Sequence, residues 1–532
     1  MNLLTDRWLP ARRRLSGRCT IRPAQLCEAL DDDPVIAIDW PRADFRVAAM
    51  EFLIGLLATA CPPEDHEAWM AGWESPPRPE TLDAAFAPIA HAFNLDGDGP
   101  RFLQDLEELV SGVEPIERLL IETPGDSTVR KNTDLLVHRD RVVQLSRAAA
   151  AMALYTFQAW APAGGAGNRT GLRGGGPLTT LVLPPSAPSL WHMLWANVPP
   201  GQTPTAADLP RVFPWLAPTV TSEGARIVTP LTAHPLQCWW GMPRRIRLDF
   251  SPMPDGVCGI TGTPDTVVVA SWRQRPRGAN YASWGRVHPL TPHYTAKPGA
   301  EWLPVHPQPG GTGYRHWLGW VMASPDRLRL PAATIAKWRE ERGPDTGRAP
   351  ARLLAAGYDM DNMKARGFVE SEVPLPAAPD AATRAALDDL ATRLVEAADI
   401  AARGLRMAVR NALFSAGATV KRDAEALSAA RERLWDVTEP AFYAGLEQLA
   451  GGADRKTLLT SWQKRLLRDA PMLFDEFAPI TPDGFATAPR ISKARRGLVF
   501  ALTGYGKEGD ALFNKLQLAP VQARTKAKGK AA

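Results

Sequence analysis

Proline is distributed very unevenly along this chain of 532 residues. Of its 50 prolines, 44 precede Asp380 and six follow it. A proline ring removes a backbone donor and clashes with the preceding helical turn, so abundant proline is incompatible with long helices. The distribution therefore predicts a largely helical region after Asp380 and a loop-rich region before it.

The region after Asp380 has the periodicity of amphipathic helices. Apolar residues recur at three- and four-residue spacing, which places them on one helical face. They are Leu387, Leu390, Leu394, Ala397, Ala401 and Leu405. Asp380 is the expected N-cap of this run, Gly417 ends it, and further helical runs follow over about 420–450, 453–474 and 488–516. The pattern predicts a four-helix bundle over 379–518, with 519–532 as a disordered basic tail.

Residues 1–378 alternate short strand-like runs with helical stretches and long loops rich in Pro, Gly and Trp. The strand-like runs are Val35–Ile38, Leu178–Leu183, Arg245–Phe250 and Thr266–Ser271. This pattern predicts a large, irregular α+β domain, so the expected fold class is α+β with a C-terminal four-helix bundle. The 18 tryptophans are scattered, which favours core and interface anchors over a row for base stacking.

The net charge of +5 is also divided unevenly, because the last 153 residues carry +6 and the remainder −1. Clustered positive charge favours nucleic acid, since binding releases condensed counterions. The bundle contains two basic strips, Arg455, Lys456, Lys464, Arg465 and Arg468, and Arg490, Lys493, Arg495 and Arg496. One helix face carries Lys464, Arg465 and Arg468, which suits a phosphate backbone; a solvated surface is the alternative.

Cysteine usage and the N-terminus indicate the compartment. Five cysteines occur without a CxxC pair, which argues against a disulfide framework and a structural zinc site. The opening MNLLTDRWLPARRR has its apolar residues before its basic ones, the reverse of a secretory signal, and no stretch is apolar enough to span a bilayer. The sequence predicts a soluble, cytoplasmic protein with no membrane partner and no bound metal.

The histidines form no evident catalytic arrangement. His288 and His293 flank HPLTPH, but Pro289 and Pro292 prevent a helical metal-binding motif, and no GxSxG or Walker pattern occurs. We therefore expect no catalytic residues, no enzymatic activity and no cofactor.

The densest local signal is the segment AGGAGNRTGLRGGGP from Ala163 to Pro177. Seven of the thirteen residues from Gly164 to Gly176 are glycine, which lets a bare backbone approach another molecule closely. A P-loop would need lysine where Asn168 stands, and a dinucleotide motif would need glycine at Thr170.

Two alternatives remain open for this segment. The first is a flexible surface loop in which Arg169 and Arg173 are merely solvated. The second is a nucleotide-dependent enzyme that uses Gly164–Gly176 as a phosphate cradle.

Four ordered motifs together are similar to one known family. They are NLLTDRWLP near the N-terminus, TGLRGGGPLTT at Thr170–Thr180, HPLTP at His288–Pro292 and GYDMDNMKA at Gly357–Ala365. The chain resembles the CasA family, the large subunit of the type I-E Cascade complex of CRISPR immunity. The resemblance implies a non-catalytic subunit that recognises the protospacer-adjacent motif on double-stranded DNA, helps open the duplex for the guide RNA, and helps recruit a helicase-nuclease. A generic nucleic-acid-binding protein remains an alternative.

The resemblance implies three elements that contact DNA. A glycine loop, matched by Ala163, Gly164, Gly165, Ala166 and Gly167, would approach the minor groove, whose edges encode little beyond A·T versus G·C. A basic contact falls at Arg277 or Arg275, with Arg273 nearby in SWRQRPRG. A wedge that opens the duplex falls at Asp361, Asn362 and Met363. A solvated basic loop and an Asx turn with Met363 packed inward are the plain alternatives.

The resemblance also implies contacts to the rest of the complex. A loop matching Leu136–Ala149 would face the guide RNA and a neighbouring Cascade subunit, with His138, Arg139, Arg141 and Arg147 as candidate phosphate partners. In the bundle, contacts that hold a DNA backbone without reading its sequence would come from Lys464, Arg465, Arg468, Arg495 and Arg496.

Overall fold

The computed structural model describes residues 1–110, 112–135, 137–165, 167–184, 188–308, 312–346, 350–361, 363–415, 417–419, 424–480 and 487–519. Short strands and helices alternate up to β13, and long helices follow. The predicted α+β class with a helical C-terminal region is confirmed. The predicted tail lies outside the described residues from position 520 onward.

The strands are β1 Leu9–Arg13, β2 Gly17–Ile21, β3 Val35–Ile38, β4 Val113–Pro115, β5 Leu145–Ser146, β6 Thr179–Leu183, β7 Arg245–Pro252, β8 Val267–Arg275, β9 His293–Tyr294, β10 Leu303–Pro304, β11 Arg329–Leu330, β12 Ala351–Asp361 and β13 Lys364–Leu375. All four strand-like runs of the sequence form strands.

The α-helices are α1 Ala43–Ala60, α2 His66–Glu74, α3 Pro79–Phe86, α4 Asp126–Arg130, α5 Arg147–Trp160, α6 Leu190–Trp195, α7 Leu209–Val212, α8 Trp317–Trp320, α9 Ala333–Lys337, α10 Gly343–Asp345, α11 Ala381–Leu413, α12 Glu425–Ala450, α13 Arg455–Phe477, α14 Ala488–Leu502 and α15 Gly506–Lys515. Short 3-10 helices cover Pro23–Cys27, Ala87–Phe93, Ile116–Leu119, Pro214–Leu216, Glu223–Ala225, Pro235–Cys238 and Tyr314–His316, and a π-helical turn covers Trp338–Arg342.

The chain divides into two compact units. One comprises Met1–Gly311, Leu328–Arg342 and Ala351–Glu372, and the other comprises Thr312–Arg327, Gly343–Pro350 and Val373–Ala532. The continuous part of the second unit begins close to the boundary expected at residue 379. The two earlier segments of that unit carry no sequence signal that would assign them to it.

Four small sheets form among the described residues, and two of them matter for the site. In one, β8 pairs with β7 along one edge and with β4 and β5 along the other, all antiparallel. In the other, β12 lies between β6 and β13. The basic segment SWRQRPRG at 271–278 includes the end of β8. This segment and the hairpin formed by β12 and β13 therefore belong to separate sheets of the first unit.

An aromatic cluster around Phe52 of α1 fills the core of the first unit. The rings of Tyr155 and Trp240 lie edge-on at 5.6 and 5.7 Å from it, a favoured geometry for aromatic pairs. Every tryptophan of the chain except Trp73 and Trp302 is buried. The predicted role of the tryptophans in the core is thus confirmed.

The second unit follows the predicted helical pattern with one correction. The Asp380 carboxylate accepts the Thr383 N–H at 2.7 Å as the N-cap of α11, and all six apolar residues predicted to share a face of α11 are buried. The fourth predicted run is not one helix. It forms α14 and α15, because Gly504, at φ +92°, ends α14 in a left-handed C-terminal turn. The described part of this region therefore has five helices.

Proline is scarce in these helices but not excluded from them. Pro440 lies within α12 and Pro471 within α13. Each removes one backbone donor, and both helices continue past the gap because their apolar faces are packed. Within the described part of the chain, no helix combines the length and apolar character needed to cross a membrane.

Candidate nucleic-acid interface

The glycine loop, Ala163–Gly167, directly follows the buried helix α5. The helix ends where Ala161 donates its N–H to Phe157 O at 3.0 Å, one residue before Pro162. Gly164 and Asn168 then close a tight turn, since Gly164 N–H donates to Asn168 O at 3.1 Å. A Cβ added at Gly165 would meet open space. Gly165 and Gly167 are exposed, whereas Ala163 and Gly164 are half-buried; Ala166 lies outside the described residues.

The structure brings Arg277 against this loop. Its N–H donates to Gly167 O at 3.2 Å, and a Cβ at Gly167 would lie 3.3 Å from Arg277 Cγ. Arg277 follows the end of β8 and has φ +64°, a left-handed conformation that residues other than glycine rarely adopt. Strained backbone of this kind concentrates at functional sites. Two elements that the sequence places more than a hundred residues apart thus form one surface.

Each arginine of the basic segment faces a carboxylate. Arg277 lies 3.6 Å from Glu223, Arg275 lies 3.2 Å from Glu107, and Arg273 lies 3.0 Å from Asp249. Arg277 and Arg275 are more than half exposed. Exposed pairs stabilise by only about 0–1 kcal/mol, so a phosphate could replace the carboxylate at little cost. Among the three arginines, Arg277 has the longest ion pair, and its backbone also contacts the glycine loop.

Arg244 braces the loop from below. Its guanidinium donates to Pro162 O and lies 4.7 Å from the Phe157 ring centre. Gln158 fixes its backbone with two hydrogen bonds, at 3.1 and 3.0 Å. Burial lowers the pKa of Arg244 to about 10. Spacing and motif gave no signal for this residue, because its role depends on a carbonyl group far away in the chain.

Arg169, within the glycine segment, is exposed and forms no ion pair with any residue that the structure describes. An unpaired guanidinium beside an exposed glycine turn is suited to a phosphate. In the sequence, only the position of Arg169 within the glycine-rich segment pointed to a role. The alternative in which this side chain is merely solvated remains open.

Arg173, by contrast, is buried, so the alternative in which it is solvated is wrong. Its guanidinium donates to Glu51, to the Thr179 hydroxyl at 3.0 Å and to the Thr291 hydroxyl at 3.2 Å. His288 Nε2 lies 3.5 Å from Glu51. The TGLRGGGPLTT and HPLTP motifs therefore meet at one buried carboxylate, on α1.

Charge in this buried cluster is balanced. Burial opposes ionisation of Glu51, yet Arg173 and His288 lower its pKa to about 2. Burial, assisted by the Arg173 charge, lowers the pKa of His288 to about 4. At neutral pH, Glu51 and Arg173 are charged and His288 is neutral. The cluster holds the two motifs together and exposes no reactive group.

Acid is expected to destabilise the first unit because it contains two buried histidines, His288 and His293, whose pKa values are lowered. An unfolded histidine titrates near pH 6.5, whereas His288 stays neutral in the folded protein until about pH 4. As the pH falls through this window, the unfolded state takes up a proton that the folded state excludes, at a cost of about 3 kcal/mol. Burial lowers the pKa of His293 to about 3, which acts in the same direction.

The pH dependence can be measured by denaturant unfolding between pH 7 and pH 4. His288→Gln should make the loss of stability with falling pH shallower. A variant whose slope equals that of the unsubstituted protein would contradict this assignment.

The glycine segment does not have the form of a phosphate cradle. In a P-loop a strand leads into a helix whose N-terminus binds the phosphate. Here helix α5 leads into strand β6 instead. The backbone N–H groups of Gly164, Gly174 and Gly176 are donated within the chain, to Asn168, Gly171 and Trp160. These donors are therefore not available to a nucleotide.

The β12–β13 hairpin presents an apolar side chain at its tip. Met363 is 62% exposed and has φ +66°, where a bulky residue is an outlier. It is not packed inward, so that part of the plain alternative is wrong; Asn362 lies outside the described residues. Arg366 holds both oxygens of Asp359, at 3.1 and 2.7 Å, and approaches Asp361 at 3.8 Å.

The part of β12 nearest the hairpin tip touches the glycine segment. A Cβ at Gly176, which has φ +67°, would lie 2.5 Å from Tyr358 O and 2.9 Å from Met360 Cγ. Such an approach is closed to any other residue, so the second half of the segment packs on β12 while its first half forms the exposed turn.

The segment at 136–149 is a loop only as far as β5, since Leu145 and Ser146 form that strand and Arg147 begins α5; Leu136 lies outside the described residues. Its arginines are tied to carboxylates of the first unit. Arg139 holds Asp134 at 2.9 and 2.7 Å. Arg147 holds Asp265 at 2.9 Å where α5 begins. Arg141 donates to Glu122 at 3.1 Å and remains half exposed, and His138 is exposed. Arg141 and His138 are therefore the residues of this set most open to a partner.

In the bundle, most of the predicted strip is paired. Arg465 and Arg468 both hold the buried Asp469, the latter at 2.6 Å. Arg495 holds Asp475 at 2.7 and 2.8 Å. Lys464 and Arg496 are exposed and form no ion pair with any described residue. The freely available charge is thus smaller than the sequence suggests.

Among the described residues, no three His, Cys, Asp or Glu side chains converge in a way that could hold a metal ion. The geometry instead offers an exposed glycine turn, an adjoining arginine and a strained hairpin tip with an exposed methionine.

Comparison with known proteins gives a consistent assignment. The family model described as CRISPR-associated protein Cse1 matches residues 2–472. Cse1 from Thermobifida fusca has 18% identity and a TM-score of 0.69 over 98% of each chain. CasA from Thermus thermophilus has 16% identity and a TM-score of 0.66, covering 94% of this chain and 99% of that one. A chain from a CRISPR RNA-guided surveillance complex has 17% identity and a TM-score of 0.66, with the same coverage. At these identities the structural likeness shows the fold alone.

Proposed function

This chain belongs to the Cse1 family of CRISPR-associated proteins, and from that premise we propose that it is the large, non-catalytic subunit of a type I-E Cascade complex. In this proposal it recognises the protospacer-adjacent motif on double-stranded DNA, helps open the duplex for the guide RNA, and helps recruit a helicase-nuclease. The proposal places it in the cytoplasm and gives it no cofactor. A fold similar to that of a chain in an RNA-guided surveillance complex supports partnership with other Cascade subunits.

The contact between Arg277 and the glycine loop carries the proposal. The Arg277 N–H bond to Gly167 O joins a bare backbone turn to an exposed guanidinium. Backbone groups can approach the minor groove, where side chains would hold the loop away, and a guanidinium can bind the adjoining phosphate or groove edge. The methyl groups of Ala163 and Ala166 distinguish this turn from an all-glycine loop, and they are candidates for altering the accepted base pairs.

The hairpin tip supplies the second step of the proposal. An apolar side chain that is exposed on a strained backbone is costly in isolation and is suited to insertion between base steps. Met363 has both properties. Asn362 could then bond a base edge, and Asp361 lies beside Arg366, which tempers its charge near DNA. Since base pairing with the guide reads the long sequence, these contacts need read only a few base pairs.

Two other functions fit the geometry less well. A nucleotide-dependent enzyme would need free backbone donors in the glycine segment, and those of Gly164, Gly174 and Gly176 are used within the chain. A generic nucleic-acid-binding protein would need the basic surface but no tip that presents Met363.

A binding experiment on the assembled complex tests the proposal. The chain would be co-purified with the other Cascade subunits and a guide RNA, then challenged with a DNA library randomised beside the target. Enrichment of a few positions adjoining the target is the expected result. Binding that is indifferent to those positions would favour the generic alternative, and saturable ATP or GTP binding by the isolated chain would favour the enzyme.

The bundle is expected to make a small electrostatic contribution to DNA affinity that does not depend on the DNA sequence. Replacing Lys464, Arg465 and Arg468 with alanine is expected to lower the slope of log affinity against log salt by about one and not by three. The reason is that Arg465 and Arg468 already hold Asp469, which leaves Lys464 as the available charge.

Filter binding of a motif-containing duplex across a salt series measures this slope. Arg403→Ala is the matched control, because Arg403 is exposed on α11 and pairs with Asp399. An unchanged slope would remove the strip from the interface, and a fall of three would mean that both paired arginines also contact phosphate.

A further inference from the structure

A chain of polar contacts runs from the exposed Arg141 to the buried Tyr358. Arg141 donates to Glu122 Oε1 at 3.1 Å, and Arg42 holds both oxygens of Glu122, at 2.5 and 2.8 Å. Arg42 also holds both oxygens of Asp44, at 3.0 and 2.7 Å. The Tyr358 hydroxyl donates to Asp44 Oδ2 at 2.5 Å. Five side chains from four separate parts of the sequence thus form one continuous network.

The network passes from solvent into the core. Its side chains are exposed by 52% at Arg141, 19% at Glu122, 17% at Arg42 and 4% at Asp44, and Tyr358 as a residue is 2% exposed. Burial reduces solvent screening, so the inner links are stronger than the outer one. Although burial opposes its charge, Glu122 has a lowered pKa because Arg42 holds it, and it remains a carboxylate at neutral pH.

The inner end of the network holds the hairpin that carries Met363. Tyr358 lies on β12, and its ring packs at 5.0 Å against Phe368 of β13. A second link joins the same helix to the other strand, since Arg46 of α1 pairs with Glu370 of β13 at 3.0 Å. The first turns of α1 therefore contact both strands of the hairpin.

The outer end of the network lies in the loop at 136–149. Arg141 is half exposed, and its ion pair with Glu122 is of the weak, solvent-screened kind. A nucleic-acid phosphate that approaches this loop would compete with Glu122 for the guanidinium. Whether Arg141 binds Glu122 or a phosphate therefore affects Arg42, which belongs to the set of residues that hold the hairpin.

We propose that Glu122, Arg42, Asp44 and Tyr358 are positioning residues that hold the wedge hairpin in place and couple it to the loop carrying Arg141. The inference rests on the proposed function, because it assumes that the hairpin opens DNA. It goes beyond the proposed function in coupling the hairpin to the loop that carries Arg141, through residues at the start of α1.

The first test measures the hairpin in the full-length protein without nucleic acid. A spin label is attached at Met363→Cys after Cys19 and Cys61, the two half-buried cysteines, are replaced by serine. Tyr358→Phe removes only the bond to Asp44 and keeps the ring, and it should increase the amplitude of label motion. Tyr443→Phe is the control, since Tyr443 makes a similar bond to Glu439, at 3.0 Å, in the second unit. Equal label motion in Tyr358→Phe and the unsubstituted protein would overturn the proposal.

The second test measures coupling in the assembled complex. Tyr358→Phe is expected to slow duplex opening roughly three- to tenfold, the range that corresponds to the net contribution of one hydrogen bond. Arg141→Ala and Tyr358→Phe should be non-additive in a double-mutant cycle, whereas additive effects would overturn the coupling. If the unsubstituted complex opens no DNA, the proposed function fails, and the label experiment still decides whether the network positions the hairpin.

Discussion

Replacing Asn362 and Met363 together with alanine is expected to slow duplex opening roughly ten- to a hundredfold while assembly of the complex is unchanged. Unstacking a base step costs a few kcal/mol, and an inserted apolar side chain offsets part of that cost. Met363 is exposed at the tip of the hairpin, so its removal creates no cavity in the core. The expected loss is therefore in opening and not in folding.

The measurement is the rate of R-loop formation on negatively supercoiled DNA. Met363→Leu should retain most of the opening rate because it keeps an apolar side chain. Met363→Gly should lose it even though glycine relieves the strain at φ +66°. Met253→Ala is the control, an exposed methionine elsewhere in the first unit. Unchanged opening in the double-alanine variant would remove the hairpin from the mechanism.

Glu51→Gln is expected to lower the free energy of unfolding of the first unit by about 3–5 kcal/mol. The substitution leaves Arg173 charged and buried without its carboxylate partner. The cost of an unpaired buried charge exceeds that of a lost hydrogen bond, because burial keeps out the water that would otherwise solvate the guanidinium in place of the carboxylate. The same change should loosen the TGLRGGGPLTT and HPLTP motifs, which meet at Glu51.

Denaturant unfolding monitored by tryptophan fluorescence measures this loss, since the first unit holds most of the buried indoles. Glu372→Gln is the matched control, because Glu372 pairs with Arg352 at the surface and should contribute about 0–1 kcal/mol. Replacing Glu51 and Arg173 together with methionine should recover much of the stability, as no unpaired charge remains. Wild-type stability in Glu51→Gln would show that the pair contributes nothing.

Local patterns predicted the helical region well. The face of α11 and the Asp380 cap depend on residues three or four positions apart, and both are as expected. The break at Gly504 was missed because a single glycine also occurs inside continuous helices, and only its φ of +92° ends α14.

The candidate site was predictable only in part. The resemblance placed the glycine loop, the arginines and the hairpin along the chain, and their roles remain predictions. The arrangement of Arg277 against Gly167, the brace from Arg244 and the burial of Arg173 are contacts between distant segments. Neither periodicity nor spacing encodes such contacts, since each depends on which elements pack side by side.

The sequence by itself determined the α+β class, the helical C-terminal region and the excess of positive charge after Asp380. These properties depend on composition and on local periodicity, which are fixed by neighbours in the chain. Tertiary structure alone decided which charges are available. It buried Arg173 on Glu51 and paired Arg465 and Arg468 with Asp469, and it left Arg169, Lys464 and Arg496 exposed. The reason is physical: the energy of a charge depends on its burial and its partner, and both are set by folding.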